Sequence, residues 1–200
     1  SVSAHIRALC PGLALTYVAD DAFRPYGQKT EAQLQARLPQ LLATLEIMCN
    51  PDVIVIACNT ASTTALQAIR AAVKAPVVGV VPAIKPAALM SKTGVIAVLG
   101  TPGTVARKYV GVLTRKFASQ CEVILHGSNG LVGLAEQKFA GQGVKRSDIA
   151  AQIAPIFDGP NGGKVDAIVL ACTHFPMLAE ELAAASPRPV SWIDSGEAIA

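Results

Sequence analysis
Residues 52–60 read Asp-Val-Ile-Val-Ile-Ala-Cys-Asn-Thr, and residues 166–174 read Asp-Ala-Ile-Val-Leu-Ala-Cys-Thr-His. In both, an aspartate and a cysteine bracket an apolar run rich in Val and Ile, and polar side chains follow the cysteine directly. A short apolar run without polar alternation fits a strand covered on both faces by helices, the pattern of a parallel α/β sheet. The echo predicts two similar α/β halves, each presenting one cysteine, Cys58 or Cys172, at the carboxyl edge of its sheet. That edge is where open sheets of this kind bind ligands.

Around the strands at 52–57 and 166–171, further strands are expected at 13–19, 76–81, 94–99, 121–126 and 189–193. Helices are expected at 31–48, 60–73, 83–91, 104–118, 130–140, 147–157 and 176–184. Ile6, Leu9 and Leu13 indicate that the first residues, from Ser1, finish a helix. Ser147 before Asp148, and Thr101-Pro102 before the next run, are helix-start signals. The alternation predicts an α/β fold of two similar doubly wound, mostly parallel halves, with the active site in the cleft between them. The halves are expected at 1–79 plus 190–200 and at 80–189, with 159–163 a glycine-rich loop. A doubly wound half opens with a strand, so the natural start is expected upstream of Ser1.

Composition narrows the function. The 200 residues carry 17 Lys and Arg against 14 Asp and Glu, a net charge of +3, and 52% of them are apolar. Such a chain has ample core and is too apolar to be disordered. Basic pairs at Arg107-Lys108, Arg115-Lys116 and Lys145-Arg146 are separate and lack interleaved aromatic residues, which argues for solvated helix faces and against a nucleic-acid surface. The apolar runs fall far short of the roughly 18 residues of a membrane span, and no secretory core is evident. A soluble protein is expected. Cys10, Cys49, Cys58, Cys121 and Cys172 are odd in number and have no Cys-x-x-Cys spacing. A disulfide framework or a zinc site would look different, so a reducing, cytoplasmic setting is expected. Cys10, Cys49 and Cys121 read as inert thiols, His126 as structural, and His5 as a surface residue.

A cysteine between a strand end and a helix start meets backbone N–H groups and the positive end of the helix dipole, so a lowered pKa is expected. One such thiolate can serve as an acyl-transfer nucleophile. Two, facing each other across a cleft, suit the removal of a proton from one face of a carbon and the return of one to the other. Asn59 and Thr60 after the first cysteine, and Thr173 and His174 after the second, supply groups that hold an amino acid's carboxylates and orient its α-hydrogen. His174 can also shuttle a proton for Cys172. The segment Leu99-Gly100-Thr101-Pro102-Gly103-Thr104 resembles an anion-holding turn but matches no nucleotide fingerprint. No lysine has the context of a pyridoxal Schiff base, which leaves the chemistry to the protein's own groups.

The runs Ala57-Cys58-Asn59-Thr60-Ala61-Ser62 and Cys172-Thr173-His174-Phe175-Pro176 resemble the two signature segments of the cofactor-independent glutamate racemases. The stretch from Tyr17 through Pro25-Tyr26-Gly27 to Lys29-Thr30 is similar to the family's Pro-Tyr-Gly segment. Residues 76–86, 99–104 and 193–198 follow in the family's order. The resemblance implies interconversion of L- and D-glutamate by two thiols, without cofactor or metal, to supply D-glutamate for peptidoglycan. It implies that Cys58 is the base acting on the D-enantiomer and Cys172 the base acting on the L-enantiomer. Tyr26, Gly27, Asn59, Thr60, Thr173 and His174 would contact substrate, with Thr101 and Thr104 assisting. Glu136 matches a supporting acid, and His174 the histidine that assists its cysteine. A cytoplasmic homodimer is implied too.

Two departures matter. The family's opening strand ends in Asp-Ser-Gly, and nothing here matches it. Asp194-Ser195-Gly196 is a different segment in the family's order and does not take that role. The chain also stops at Ala200, where a final helix is expected to continue. Ala171 stands where glycine commonly precedes the second cysteine. Alternatives on the same scaffold are a sister racemase or isomerase acting on aspartate or a hydantoin, a decarboxylase of a malonate-type acid, or a non-catalytic binding protein.

Overall fold
In a computed structural model, residues 2–200 are described, and Ser1 lies outside them. The α-helices are α1 (Val2–Leu9), α2 (Glu31–Cys49), α3 (Asn59–Ala72), α4 (Ile84–Met90), α5 (Pro102–Val105), α6 (Lys108–Phe117), α7 (Gly130–Phe139), α8 (Arg146–Asp158), α9 (Ala179–Ala185) and α10 (Gly196–Ile199). The strands are β1 (Ile54–Ile56), β2 (Val77–Gly79), β3 (Val95–Gly100), β4 (Glu122–Gly127), β5 (Ala167–Ala171) and β6 (Ser191–Ile193). They form two sheets, a pair β1-β2 and a four-stranded sheet in the order β4-β3-β5-β6. Every pairing is parallel.

The central strands β3 and β5 are buried along their whole length, as their unbroken apolar runs require. One face of this sheet packs Leu99, Ile168 and Leu170 against Leu131 of α7, Ile153 of α8 and Leu182 of α9. The other packs Ile96, Val98 and Val169 against Ile84 of α4 and Leu113 of α6. Beside the first sheet, Leu34, Leu38 and Leu42 of α2 meet Ala61, Ala65 and Ile69 of α3. A capping box starts α2: the Gln33 N–H donates to Thr30 Oγ1 at 3.2 Å, and the Thr30 N–H donates to Gln33 Oε1 at 2.9 Å. Asn50, left-handed at φ 43°, ends it.

Three expectations are corrected. Residues 13–19 are not a strand: no strand pairs with them among the described residues, and Tyr17 is 76% exposed. Apolar alternation alone does not make a strand without a neighbour to complete its hydrogen bonds. The helix expected at 104–118 is two, because Arg107 turns extended at ψ 136° and sends its guanidinium to Glu31 at 3.3 Å. The tail from 190 does not belong wholly with the first sheet. Its strand β6 pairs with β5, and buried Ile193 joins the core beneath β3 and β5, while α10 alone returns to pack against α1.

Candidate active site
Cys58 follows β1 and is the residue from which α3 starts; its carbonyl accepts the Ser62 N–H at 3.0 Å. Cys172 follows β5 in the same way, and its carbonyl accepts the Phe175 N–H at 3.1 Å. These turns aim backbone N–H groups at both sulfurs. Cys172 is only 7% exposed, whereas Cys58 keeps part of its surface open although its sulfur is hemmed in.

The expected lowering of the thiol pKa values is overturned. Burial pushes the Cys58 thiol up, and the Ala61 and Thr60 N–H groups with the Thr60 hydroxyl pull it only part of the way back. Burial likewise pushes Cys172 up to about 12; the His174 N–H opposes this, the charge of Cys58 adds to it, and the Phe175 N–H opposes it. Desolvation disfavours a thiolate more strongly than a few N–H dipoles favour it. The influence of one sulfur on the other carries chemical weight. The sulfurs are close enough for charge on one to disfavour charge on the other, so a doubly ionised pair is disfavoured.

Behind Cys172, His174 Nδ1 lies 3.8 Å from its sulfur. On the far side of the ring, His174 Nε2 is 2.8 Å from Glu136 Oε1, which reaches it from α7. With Nε2–H donating to the carboxylate, Nδ1 of the neutral ring is an acceptor turned to the thiol. The expected trio of Cys172, His174 and Glu136 is thus brought together by β5, the turn after it, and α7.

On the Cys58 side, Tyr26 is near enough to feel the cysteine's charge. Its phenol is pushed well above the ordinary range by burial, then by the Asp20 carboxylate that its O–H meets at 2.9 Å. Asp20 is gripped by Arg37 at 2.7 and 3.1 Å, and this guanidinium above all holds its carboxyl below the ordinary value. Gly27 lies flat against the second sheet's loop: a Cβ on it would come within 2.9 Å of Thr101 Cγ2, and one on Gly103 within 2.7 Å of the Gly27 carbonyl oxygen. Asp20 and Arg37 were missed by sequence reasoning, although Asp20 stands in the quoted Pro-Tyr-Gly segment and is its first acid.

Asn59 is 3% exposed and its Oδ1 has no partner. It lines a small cavity shared with Cys172, Thr173 and His5. His5 is therefore no free surface residue: its ring edges this cavity and crowds Gly196. Asp194 and Ser195 reach the same cavity, but Asp194 Oδ1 accepts the Gly196 N–H at 2.6 Å and Ser195 Oγ donates to the Val81 carbonyl at 2.6 Å. Thr60, Thr101 and Thr104 form a buried triangle of hydroxyls with edges of 2.9, 3.0 and 3.3 Å, and Thr104 is fully buried. Thr104 thus faces Thr60 rather than open space. His126 is structural, with Nε2 2.7 Å from the Gln152 carbonyl. Among the described residues, no group of three or more His, Cys, Asp and Glu side chains is arranged to hold a metal, and no helix is long and apolar enough to cross a membrane.

A family model described as Asp/Glu/Hydantoin racemase matches residues 1–200. The chain belongs to the Asp/Glu/hydantoin racemase family. Among relatives in this family, the glutamate racemase of Sphingopyxis alaskensis is 50% identical over 200 residues, covering 100% of this chain and 75% of the relative. The glutamate racemase of Brucella canis is 44% identical over 201 residues, covering 100% of this chain and 73% of the relative. Among solved structures, Escherichia coli glutamate racemase in complex with L-glutamate and the activator UDP-MurNAc-Ala superposes with a TM-score of 0.93 at 40% identity, covering 99% of this chain and 74% of that one. Francisella tularensis glutamate racemase in complex with D-glutamate has a TM-score of 0.79 at 25% identity, covering 98% of this chain and 71% of that one. The chain thus spans about three quarters of the racemases it matches, members of an enzyme class of isomerases, and has their α/β fold.

Proposed function
We propose that this protein interconverts L- and D-glutamate by proton transfer between Cys58 and Cys172. The observation that carries the reading is the matched placement of two thiols, each in the turn after a parallel strand, with Cys172 backed by His174 and Glu136. As a thiolate, Cys58 removes the α-hydrogen of D-glutamate, and the Cys172 thiol delivers a proton to the opposite face. The product is L-glutamate, with Cys58 now the thiol and Cys172 the thiolate. The reverse turnover begins from that state, so atoms and charge balance in both directions. The sulfurs' mutual repulsion disfavours a doubly ionised pair, so one sulfur keeps its proton while the other acts as the base.

His174, braced by Glu136, relays a proton to or from Cys172. Tyr26 and Gly27, Asn59 and Thr60, and Thr173 line the substrate, and the buried, unpartnered Asn59 Oδ1 is an acceptor suited to an ammonium group. The chain divides into two halves around the cleft, the first comprising 1–79 with the segment after Ile193, the second running from 80 to Ile193. The chemistry needs only the protein's own groups. The product serves peptidoglycan synthesis in the cytoplasm, and the working form is a homodimer.

The test is optical. The protein is incubated with L-glutamate and separately with D-glutamate, with no added cofactor, and circular dichroism is followed. Enantiomers have equal free energy in water, so both solutions must run to the racemate and kcat/KM must match in the two directions. Cys58→Ser and Cys172→Ser should each lose about 10²–10⁴-fold in rate. In deuterium oxide, Cα should gain solvent deuterium as the product forms. Undiminished racemisation in both variants would end the proposal. Turnover of aspartate or a hydantoin in place of glutamate would move the reading to a sister enzyme.

A further inference from the structure
We propose that Thr101 and Thr104 are positioning residues for Cys58: the second sheet's loop supplies a line of hydroxyls, Thr101 to Thr104 to Thr60, that ends in the first turn of α3, two residues past Cys58. This deepens the two-thiol reading and rests on it. Donor counting allows the line to run in this direction. Each hydroxyl has one hydrogen to give. The Thr104 N–H donates to Thr101 Oγ1 at 3.2 Å, which leaves the Thr101 hydrogen free to go to Thr104 Oγ1 at 3.0 Å. Thr104 then gives its hydrogen to Thr60 Oγ1 at 2.9 Å. Thr60 is left with one hydrogen, which either returns to Thr101 Oγ1 at 3.3 Å or turns to the Cys58 thiolate that it helps to stabilise.

Thr60, Thr101 and Thr104 are buried at 3%, 5% and 0% exposure, so water has little room to replace a missing member. A closed ring is the competing arrangement, with Thr60 donating back to Thr101 Oγ1 at 3.3 Å. A thiolate breaks that ring, because a charge-assisted hydrogen bond is about twice as strong as a neutral one. The line therefore forms when Cys58 is ionised and closes on itself when it is not. It also crosses from one sheet's loop to the other sheet's cysteine, so Cys58 is readied as a base only while the two loops touch. The titratable groups that face Cys58 are Tyr26 and Cys172, with Asp20 and Arg37 behind Tyr26. None of them lies on the threonine line.

Iodoacetamide alkylation, resolved at Cys58 and Cys172 by peptide mass mapping between pH 7 and 10, reads each thiolate fraction directly and does not depend on turnover. Thr104→Val keeps the shape and removes the hydroxyl; Thr104→Ser keeps the hydroxyl. In Thr104→Val, Cys58 alkylation should slow about 3–10-fold at a given pH, equivalent to an upward shift of about half to one pH unit. Cys172 should change much less, and Thr104→Ser should restore Cys58. Racemisation by Thr104→Val should lose kcat with little change in KM. An unchanged Cys58 rate in the valine variant overturns the proposal, as does a serine variant no better than the valine. If Thr104→Val does not fold by circular dichroism, Thr101→Val is read by the same criteria. A slowed Cys58 in a protein that racemises nothing would leave the threonine line standing and remove the racemase reading instead.

Discussion

His174 and Glu136 meet at 2.8 Å across the outer edge of the site, and this contact fixes which nitrogen of the ring faces Cys172. In the proposed reaction, Glu136 works through a tautomer. Glu136→Gln keeps the size but also offers an N–H, which permits the other tautomer. Racemisation should fall about tenfold, corresponding to ~1.4 kcal/mol of barrier, with KM nearly unchanged. Glu136→Ala should lose more, and equal activity in all three proteins would remove Glu136 from the reaction.

The raised Cys172 pKa makes a statement about stability. Its folded value lies above that of an exposed thiol, so its contribution to stability is fully present below the unfolded pKa and is lost as pH rises through the folded one. The window runs from the ordinary thiol value of 9.0 to about 12. The thermal midpoint should drop across that range, and Cys172→Ala should show a shallower drop there than the parent protein. Parallel curves for the two would mean that burial does not govern this thiol.

Asp20 is the common partner of Tyr26 and Arg37. Asp20→Asn removes the charge that Arg37 grips and loosens the Tyr26 phenol beside Cys58. A loss of about 1–3 kcal/mol in stability is expected from denaturant titration, together with a several-fold rise in KM. Because Asp20 is held below its ordinary value, the parent's advantage should be present above the unfolded carboxyl pKa and disappear as pH falls through the folded one. An advantage that survives in acid would contradict the assignment.

Gly103 lies under the Gly27 carbonyl with no room for a methyl group. Gly103→Ala must push that backbone away, at a cost of about 1–3 kcal/mol typical of overpacking. The displacement separates Gly27 from Thr101, so activity should fall further than the stability change alone would require. A variant with wild-type kcat/KM and an unchanged melting curve would mean that the two loops need not touch.

The strands that carry the cysteines were readable because each leaves a compositional mark, an unbroken apolar run, in residues 54–56 and 167–171, although only the second is buried along its whole length and β1 is half-buried. The segment 13–19 carries a similar mark without becoming a strand, since strand formation depends on a neighbour that composition cannot supply. The pairing of β6 with β5 was hidden for a related reason: three residues hold too little pattern to say which sheet they will join. The site divides likewise. Cys58, Asn59, Thr60, Cys172 and His174 cluster in sequence and could be read there. The grip of Arg37 on Asp20 and the place of His5 beside Asn59 depend on helix packing over long separations. The sign of the thiol pKa shifts was misjudged because helix-start geometry is local, whereas desolvation sums over everything folded around the sulfur.

The Ser195 hydroxyl donates to the Val81 carbonyl at 2.6 Å. Val81 lies on the passage from β2 towards β3, and Ser195 on the return from β6 to α10, so the two strands of chain that bridge the sheets are stitched side by side. A single bridging strand would leave the sheets free to swivel as well as to bend. A stitched pair behaves as a leaf spring, soft to flexing about one axis and stiff to torsion. Any breathing that admits a small molecule would then be a bend between the sheets with little twist.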